Sequence, residues 1–151
     1  MEKENNTSSF QFEEYLVLKS EFEINTDFTP DDDKKVEVEF EIDSDFYVQD
    51  DKSLALVILQ CEVFTNSENH NKPYTLNVDV LGKFKLSEPI RGTDLEELCK
   101  VNATAILFPY LRAYISNLTS LSGMTTLNLP TINVHKFIEN SKKNKITQRT
   151  T

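Results

Sequence analysis

Hydrophobic and polar residues alternate through much of the first half of the chain, as they do in β-strands that bury one face. The alternation is most regular over residues 35–43, where the residues between the apolar ones are charged. The apolar positions there are Val36, Val38, Phe40 and Ile42. Residues 10–24, 53–65 and 74–87 carry related patterns, so we predict four strands separated by polar turns.

The first of these segments changes parity along its length. Its even-numbered apolar residues, which share one parity that Glu14 interrupts, are Phe12, Leu16, Leu18, Phe22 and Ile24. Tyr15 and Val17 have the other parity. We expect a β-bulge near Glu13 and Glu14 to reconcile the two sets, because a bulge inserts one extra residue and so reverses the alternation.

After residue 92 the apolar residues follow the spacing of helices. Thr93 and Glu96 form a capping box, which is typical of a helix start. The longest helical pattern covers residues 102–121, where Pro109 predicts a kink and Gly123 predicts the helix end. One apolar stripe comprises Ile106, Tyr110, Ala113, Tyr114, Asn117, Leu118 and Leu121. A second stripe beside it comprises Leu107, Leu111 and Ile115.

These elements predict an α+β fold: a four-stranded antiparallel meander with its strands in consecutive order, then a long kinked helix and a short C-terminal helix. Asn133 is expected to cap the short helix, which carries Phe137 and Ile138. We assign residues 10–144 to a single domain, and residues 1–9 and 145–151 to disordered tails. The two stripes make a wide apolar arc, so we expect self-association or an open apolar groove.

The loop at residues 124–132 is unusually apolar for a connecting segment. Leu127, Leu129 and Ile132 are apolar, and Pro130 favours an extended backbone. One interpretation is that the loop forms the wall of a groove for flexible apolar ligands. The alternative is that it packs tightly onto its own sheet.

Charge and residue types disfavour several classes of function. The net charge is −9, and 17 of the 25 acidic residues lie in residues 1–51, so a nucleic-acid partner is disfavoured. The three glycines form no phosphate-binding loop, and the cysteines, Cys61 and Cys99, fit no zinc motif. His70 and His135 are interpreted as surface residues. We therefore predict no catalytic site, no cofactor and no metal site.

No apolar run has the length that a membrane helix requires, and the first ten residues lack the apolar region of a secretory signal. We therefore expect a cytoplasmic protein without direct membrane insertion. A small-molecule carrier and a purely structural oligomer remain alternatives at this stage.

Several short motifs resemble a known family. The segment ILFPY at residues 106–110 is followed by Arg112, by Gly123 and by LNLP at residues 127–130. Near the start, FQF at residues 10–12 is followed by Phe22 and Glu23. This arrangement is similar to the signature of the SecB family of export chaperones, and the resemblance extends over roughly residues 10–140.

The resemblance implies a dimer of dimers whose surface groove holds unfolded preproteins without using a nucleotide. Carried onto this sequence, the client-binding groove comprises Val38, Phe40, Ile42, Leu127, Leu129 and Phe137. The resemblance also implies an acidic sheet face for the motor SecA, comprising Glu23, Glu37, Glu39, Glu41 and Asp79. Lys19 and Asn77 stand where the family has acidic residues. Because some SecB-like proteins bind the antitoxin of a toxin–antitoxin pair, an antitoxin is the alternative client.

Overall fold

A computed structural model describes residues 10–30, 35–51, 53–65, 70–86, 93–131, 133 and 144–149. The strands are β1 (Phe10–Ile24), β2 (Lys35–Val48), β3 (Leu54–Val63), β4 (Tyr74–Leu86) and β5 (Asn144–Arg149). The helices are α1 (Thr93–Glu97), a π-helical turn (Leu98–Asn102) and α2 (Ala103–Leu121). An antiparallel sheet followed by a long helix confirms the predicted α+β class. The predicted short helix with Phe137 and Ile138, His135 and the tail at residues 1–9 lie outside the described residues.

The order of the strands in the sheet is β1-β4-β3-β2-β5, so the predicted consecutive order is wrong. β2, β3 and β4 do follow one another as hairpins, but β1 pairs antiparallel with β4, from Phe10 opposite Leu86 to Ile24 opposite Tyr74. The connection from β1 to β2 spans residues 25–34, which is longer than the loops of tight hairpins. It therefore allows the two strands to separate in Greek-key fashion.

The last strand was not predicted. In place of the disordered tail expected from residue 145, Asn144–Arg149 forms β5, which pairs antiparallel with Lys35–Phe40 of β2. The sequence of β5, NKITQR, is short and polar, so no alternation marks it as a strand. Its partner is the edge of β2. Backbone pairing with that edge stabilises an extended conformation that the sequence of β5 alone does not indicate.

β1 contains two bulges, one between Phe12 and Glu14 and one between Val17 and Lys19. The first confirms the predicted bulge. Between the two bulges the face that points toward α2 carries Tyr15 and Val17, and the ring of Tyr15 lies 4.7 Å from that of Tyr110 in α2. Leu16 shares the parity of Phe12 but lies on the outer face, because the bulge separates the two residues. Leu16 and Leu18 are each about half exposed. After the second bulge the even-numbered residue Phe22 again packs against the core.

The core lies between one face of the sheet and α2. The second helical stripe is the buried one: Leu107, Leu111 and Ile115 have no exposed surface. Gly82 of β4 allows close approach of the helix, because a Cβ atom there would lie 3.2 Å from both methyl groups of Leu107. Gly123 ends α2 as predicted, with a positive φ of 89° and its N–H donating to the carbonyl of Ser120.

Burial determines the chemistry of the two thiols, Cys61 and Cys99, which are both free and buried. Burial raises the pKa of Cys61 to about 12, with a smaller contribution from the neighbouring charge of Glu62. Burial likewise raises the pKa of Cys99 to about 11. Both side chains therefore stay protonated and unreactive in the folded chain.

The free energy of unfolding is expected to fall as the pH rises above about 9. Unfolded thiols ionise near a pKa of about 8.5, while the folded thiols remain neutral, so each contributes a loss of about 1.4 kcal/mol per pH unit until the folded pKa is reached. Urea unfolding at several pH values measures the slope of the free energy of unfolding against pH. In the Cys61→Ala/Cys99→Ala variant the slope should be shallower, and equal slopes in both proteins would contradict the raised pKa values.

Candidate functional site

Five of the six residues implied for the groove come together in one hydrophobic cluster. Val38, Phe40 and Ile42 lie on the helix-facing side of β2, and Leu127 and Leu129 lie on residues 124–131, the return segment, which follows α2. None of the five is more than 3% exposed. The implied set is therefore a spatial cluster, and the return segment packs onto its own sheet, as in the alternative interpretation of the loop. The sixth residue, Phe137, lies outside the described residues.

Polar side chains of α2 hold the return segment in place. Arg112 Nε donates a hydrogen bond to the carbonyl of Leu129 at 2.7 Å, and the Ser116 hydroxyl donates to the carbonyl of Leu127 at 3.1 Å. The backbone N–H of Leu127 donates to the Thr119 hydroxyl oxygen at 2.9 Å. These three helical residues, spaced four and three apart, form one row along α2.

The return segment has no helix or strand structure of its own. Its attachment thus depends on two buried leucines and a few side-chain hydrogen bonds, each of which contributes about 0.5–1.5 kcal/mol. A segment attached in this way can separate from the sheet at a lower cost than a strand held by a full ladder of backbone hydrogen bonds. Because Leu127 and Leu129 share one hydrophobic cluster with Val38, Phe40 and Ile42, separation of the segment would disturb the packing of that cluster.

Sequence reasoning did not find the row formed by Arg112, Ser116 and Thr119. The sequence analysis names Arg112 only within a motif, and it does not single out Ser116 or Thr119. The available signal was polar residues at helical spacing next to the buried Ile115. That pattern indicates a polar border on a helix, but it does not indicate which backbone groups the side chains bind.

The first helical stripe is divided: Tyr114 and Leu118 are partly buried against the core, and its other members are exposed. Ile106 and Tyr110 are a little over one-third exposed, and Leu121 is 87% exposed. Ala113 and Asn117 are exposed between them. The chain therefore presents a continuous row of largely apolar groups along α2, which we call the outer stripe, at residues 106, 110, 113, 117 and 121.

The acidic residues implied for a partner all lie on the sheet face that points away from α2. Glu37, Glu39 and Glu41 alternate with the buried residues of β2. Glu23 of β1 lies opposite Thr75, and Asp79 of β4 lies between Gln60 and Lys19. Glu41 also lies directly opposite Glu62 of β3, and such like-charge pairs favour a cationic partner. The residues thus share one face but spread over three strands.

The other end of this outer face carries several apolar side chains beside the charged residues Asp45 and Lys83. Leu16, Leu81 and Ile58 are neighbours across β1, β4 and β3. In the next row, Leu56 lies opposite Tyr47, which is 68% exposed. The bulge between Phe12 and Glu14 puts Leu16 on the opposite face from Phe12 although the two share a parity, so the row could not be recognised from the alternation alone.

One polar cleft of about 390 Å³ lies where β1 ends and β4 begins. Glu23, Asp27, His70 and Lys72 are among its lining residues. Its walls are bonded to each other: the side-chain amide of Asn25 donates to the carbonyl of Lys72 at 2.8 Å. The cleft is polar, so it offers little apolar surface to an unfolded chain.

Comparison with known proteins places these features in context. A family model described as "Preprotein translocase subunit SecB" matches residues 3–145. An uncharacterized protein of Methanocaldococcus jannaschii is 28% identical over 133 residues, which cover 87% of this chain and 84% of the relative. A solved structure of the Mycobacterium tuberculosis SecB-like chaperone Rv1957, in complex with a ChAD peptide from the HigA1 antitoxin, has a TM-score of 0.69 at 15% identity. The match covers 82% of this chain and 91% of that chain, so the two share a fold.

Among the described residues, no helix combines the length and apolar character needed to cross a membrane. Within the same part of the chain, no cluster of three or more histidine, cysteine or acidic side chains is arranged to hold a metal ion.

Proposed function

The chain belongs to the SecB family, and on that premise we propose that it is a holdase chaperone, which binds unfolded or non-native polypeptides without using a nucleotide. The observation that carries the proposal is the cluster of Val38, Phe40, Ile42, Leu127 and Leu129. These residues are distant in sequence, they converge on one site, and the segment that covers the site lacks regular structure.

We propose that a client binds when the return segment moves away from β2. The hydrogen bonds from Arg112, Ser116 and Thr119 are then broken, and apolar side chains of the client replace Leu127 and Leu129 over Val38, Phe40 and Ile42. The free energy comes from apolar burial, about 25 cal/mol per Å² before the cost of ordering the client. Since the hydrophobic effect is non-directional, such a site tolerates many client sequences.

Two kinds of client fit this site. A preprotein destined for export is the first, with SecA as the partner at the acidic outer face, where Glu37, Glu39 and Glu41 would attract a basic surface. An antitoxin is the second, and the structural similarity to a SecB-like chaperone in complex with an antitoxin peptide supports it. Both clients are consistent with a protein that works in the cytoplasm.

We further propose a homotetramer built as a dimer of dimers. The outer stripe of α2 is the surface that supports this, because it exposes Ile106, Tyr110 and Leu121 on one side of a helix whose other side is buried. An exposed apolar row of this length is typical of a helix that packs against a second copy.

The protein is expected to suppress aggregation of a chemically denatured secretory protein that is diluted into buffer without nucleotide. Light scattering measures the aggregation, and an equal mass of a folded, non-chaperone protein is the control. Suppression that increases with the ratio of protein to client is the expected result. Aggregation that is unchanged at a molar excess of the protein would contradict the holdase proposal.

A pull-down that measures binding to an unfolded preprotein, to a purified antitoxin and to SecA side by side separates the two clients. Preferential binding of the preprotein together with SecA supports a role in export. Tight binding of the antitoxin alone supports the dedicated chaperone.

A further inference from the structure

The β2 edge is occupied by the chain's own C-terminal strand. β5 pairs with the first six residues of β2, from Lys35 opposite Arg149 to Phe40 opposite Asn144. On the other side of β2, pairing with β3 begins only at Phe40, opposite Val63. The first part of β2 therefore extends beyond β3, and β5 is its neighbour within the described sheet.

β5 covers less than half of the strand that it joins. β2 has 14 residues, and it continues through Glu41–Val48 past the end of β5. A longer extended segment in the same position would pair with more of this edge and form more backbone hydrogen bonds. Strand addition of this kind draws its affinity from the main chain and its selectivity from alternate side chains.

The register determines which residues of β2 lie opposite a strand that pairs with this edge. Position 146 lies opposite Val38. Val38 lies on the face toward α2, is 1% exposed and belongs to the candidate client cluster. Positions 145 and 147 lie opposite Glu39 and Glu37, on the acidic outer face. Lys145 is the β5 residue opposite an acidic one, Glu39, whereas Arg149 lies opposite Lys35; because β5 contains no acidic residue, it adds no further like-charge pair beside the glutamates of β2.

We propose that β5 is a displaceable internal occupant of the β2 edge, and that an extended client segment joins the sheet in its place; this rests on the proposed holdase function. The position is at the rim of the cluster of Val38 and Phe40, so strand addition would hold the client backbone while its apolar residues enter the cluster. Because β5 is tethered, it competes at a high effective concentration and lowers the apparent affinity for clients.

The test uses the full chain with Ile146→Pro and Thr147→Pro together. Neighbouring residues of a strand point their N–H groups to opposite sides, so one of these two prolines removes a donor to β2. The control is Thr150→Pro/Thr151→Pro, which makes the same kind of change beyond the end of β5. The probe is a fluorescently labelled, reduced and carboxymethylated secretory protein, whose binding is followed by anisotropy.

The Ile146→Pro/Thr147→Pro variant is expected to bind the probe about tenfold more tightly than the parent and the control, since the competing strand is removed. Hydrogen exchange should show lost amide protection at residues 35–40 with protection retained in β3, which establishes that the fold is intact. A synthetic NKITQR peptide should restore the protection and reduce probe binding. Unchanged or weaker probe binding by a variant that has lost protection at residues 35–40 would overturn the proposal.

Failure of the holdase proposal gives a different result. In that case neither the parent nor the variant binds the probe, although the NKITQR peptide still restores protection at residues 35–40. Binding by the parent that the prolines do not strengthen overturns the β5 proposal alone.

Discussion

Replacing Leu129 by alanine is expected to lower the free energy of unfolding by about 2–5 kcal/mol. Leu129 has no exposed surface, and it packs in one cluster with Val38, Phe40 and Leu127. The substitution removes apolar contacts and leaves a cavity that the neighbouring side chains fill only in part. Urea unfolding of the parent and variant proteins measures the difference.

The matched control is the same substitution at Leu121, the last residue of α2, which is 87% exposed. Loss of a largely solvated side chain should change the free energy of unfolding by no more than about 0.5 kcal/mol. If Leu129→Ala were as mild as Leu121→Ala, the return segment would not be packed on the sheet. The cluster would then be an open groove in the free protein, without the need for the segment to move.

The local pattern was sufficient to predict which side chains of β2 and β4 are buried. Val38, Phe40 and Ile42 are buried and Glu37, Glu39 and Glu41 point outward, because strict alternation permits only one such assignment. In β1 the same rule failed between the two bulges. A bulge shifts the register by one residue and leaves little trace in composition, so parity alone does not show that Leu16 lies on the outer face beside Leu81 and Ile58.

Long-range pairing could not be predicted from alternation. Nothing in β1 distinguishes β4 from β2 as a neighbour, since both offer an apolar face of similar length. β5 is the extreme case, because NKITQR extends only beside the open edge of β2. β5 is extended because it pairs with β2, and the local sequence of β5 does not indicate which strand its partner is.

The candidate site was partly accessible from the sequence. The resemblance implied five residues that the structure brings together, but it said nothing of their burial, which depends on where the return segment lies. That position is determined by distances such as that from Arg112 Nε to the carbonyl of Leu129. Hydrogen bonds between a side chain and a remote backbone group leave no periodic signal, so only the folded chain shows them.

The second large effect concerns assembly. Ala113→Arg is expected to break the helix-to-helix contact of the proposed homotetramer and so to halve its mass. Ala113 is exposed in the single chain and lies at the centre of the outer stripe, between Tyr110 and Asn117. A small residue at a helix contact allows two axes to approach to about 8–10 Å, and an arginine there adds both bulk and a charge that must lose water.

The matched control is Ala105→Arg, on the same exposed side of α2 but at the rim of the stripe and near the helix start. Arginine is a good helix former, so neither substitution should unfold the protein. Light scattering coupled to gel filtration should give the parent and Ala105→Arg a mass near four chains of 17.4 kDa, and Ala113→Arg a mass near two. A parent protein that is monomeric would contradict the proposed assembly. If Ala113→Arg kept the full mass, the copies would associate through another surface, since a buried arginine without a partner at the centre of a helix contact is too costly to be accommodated.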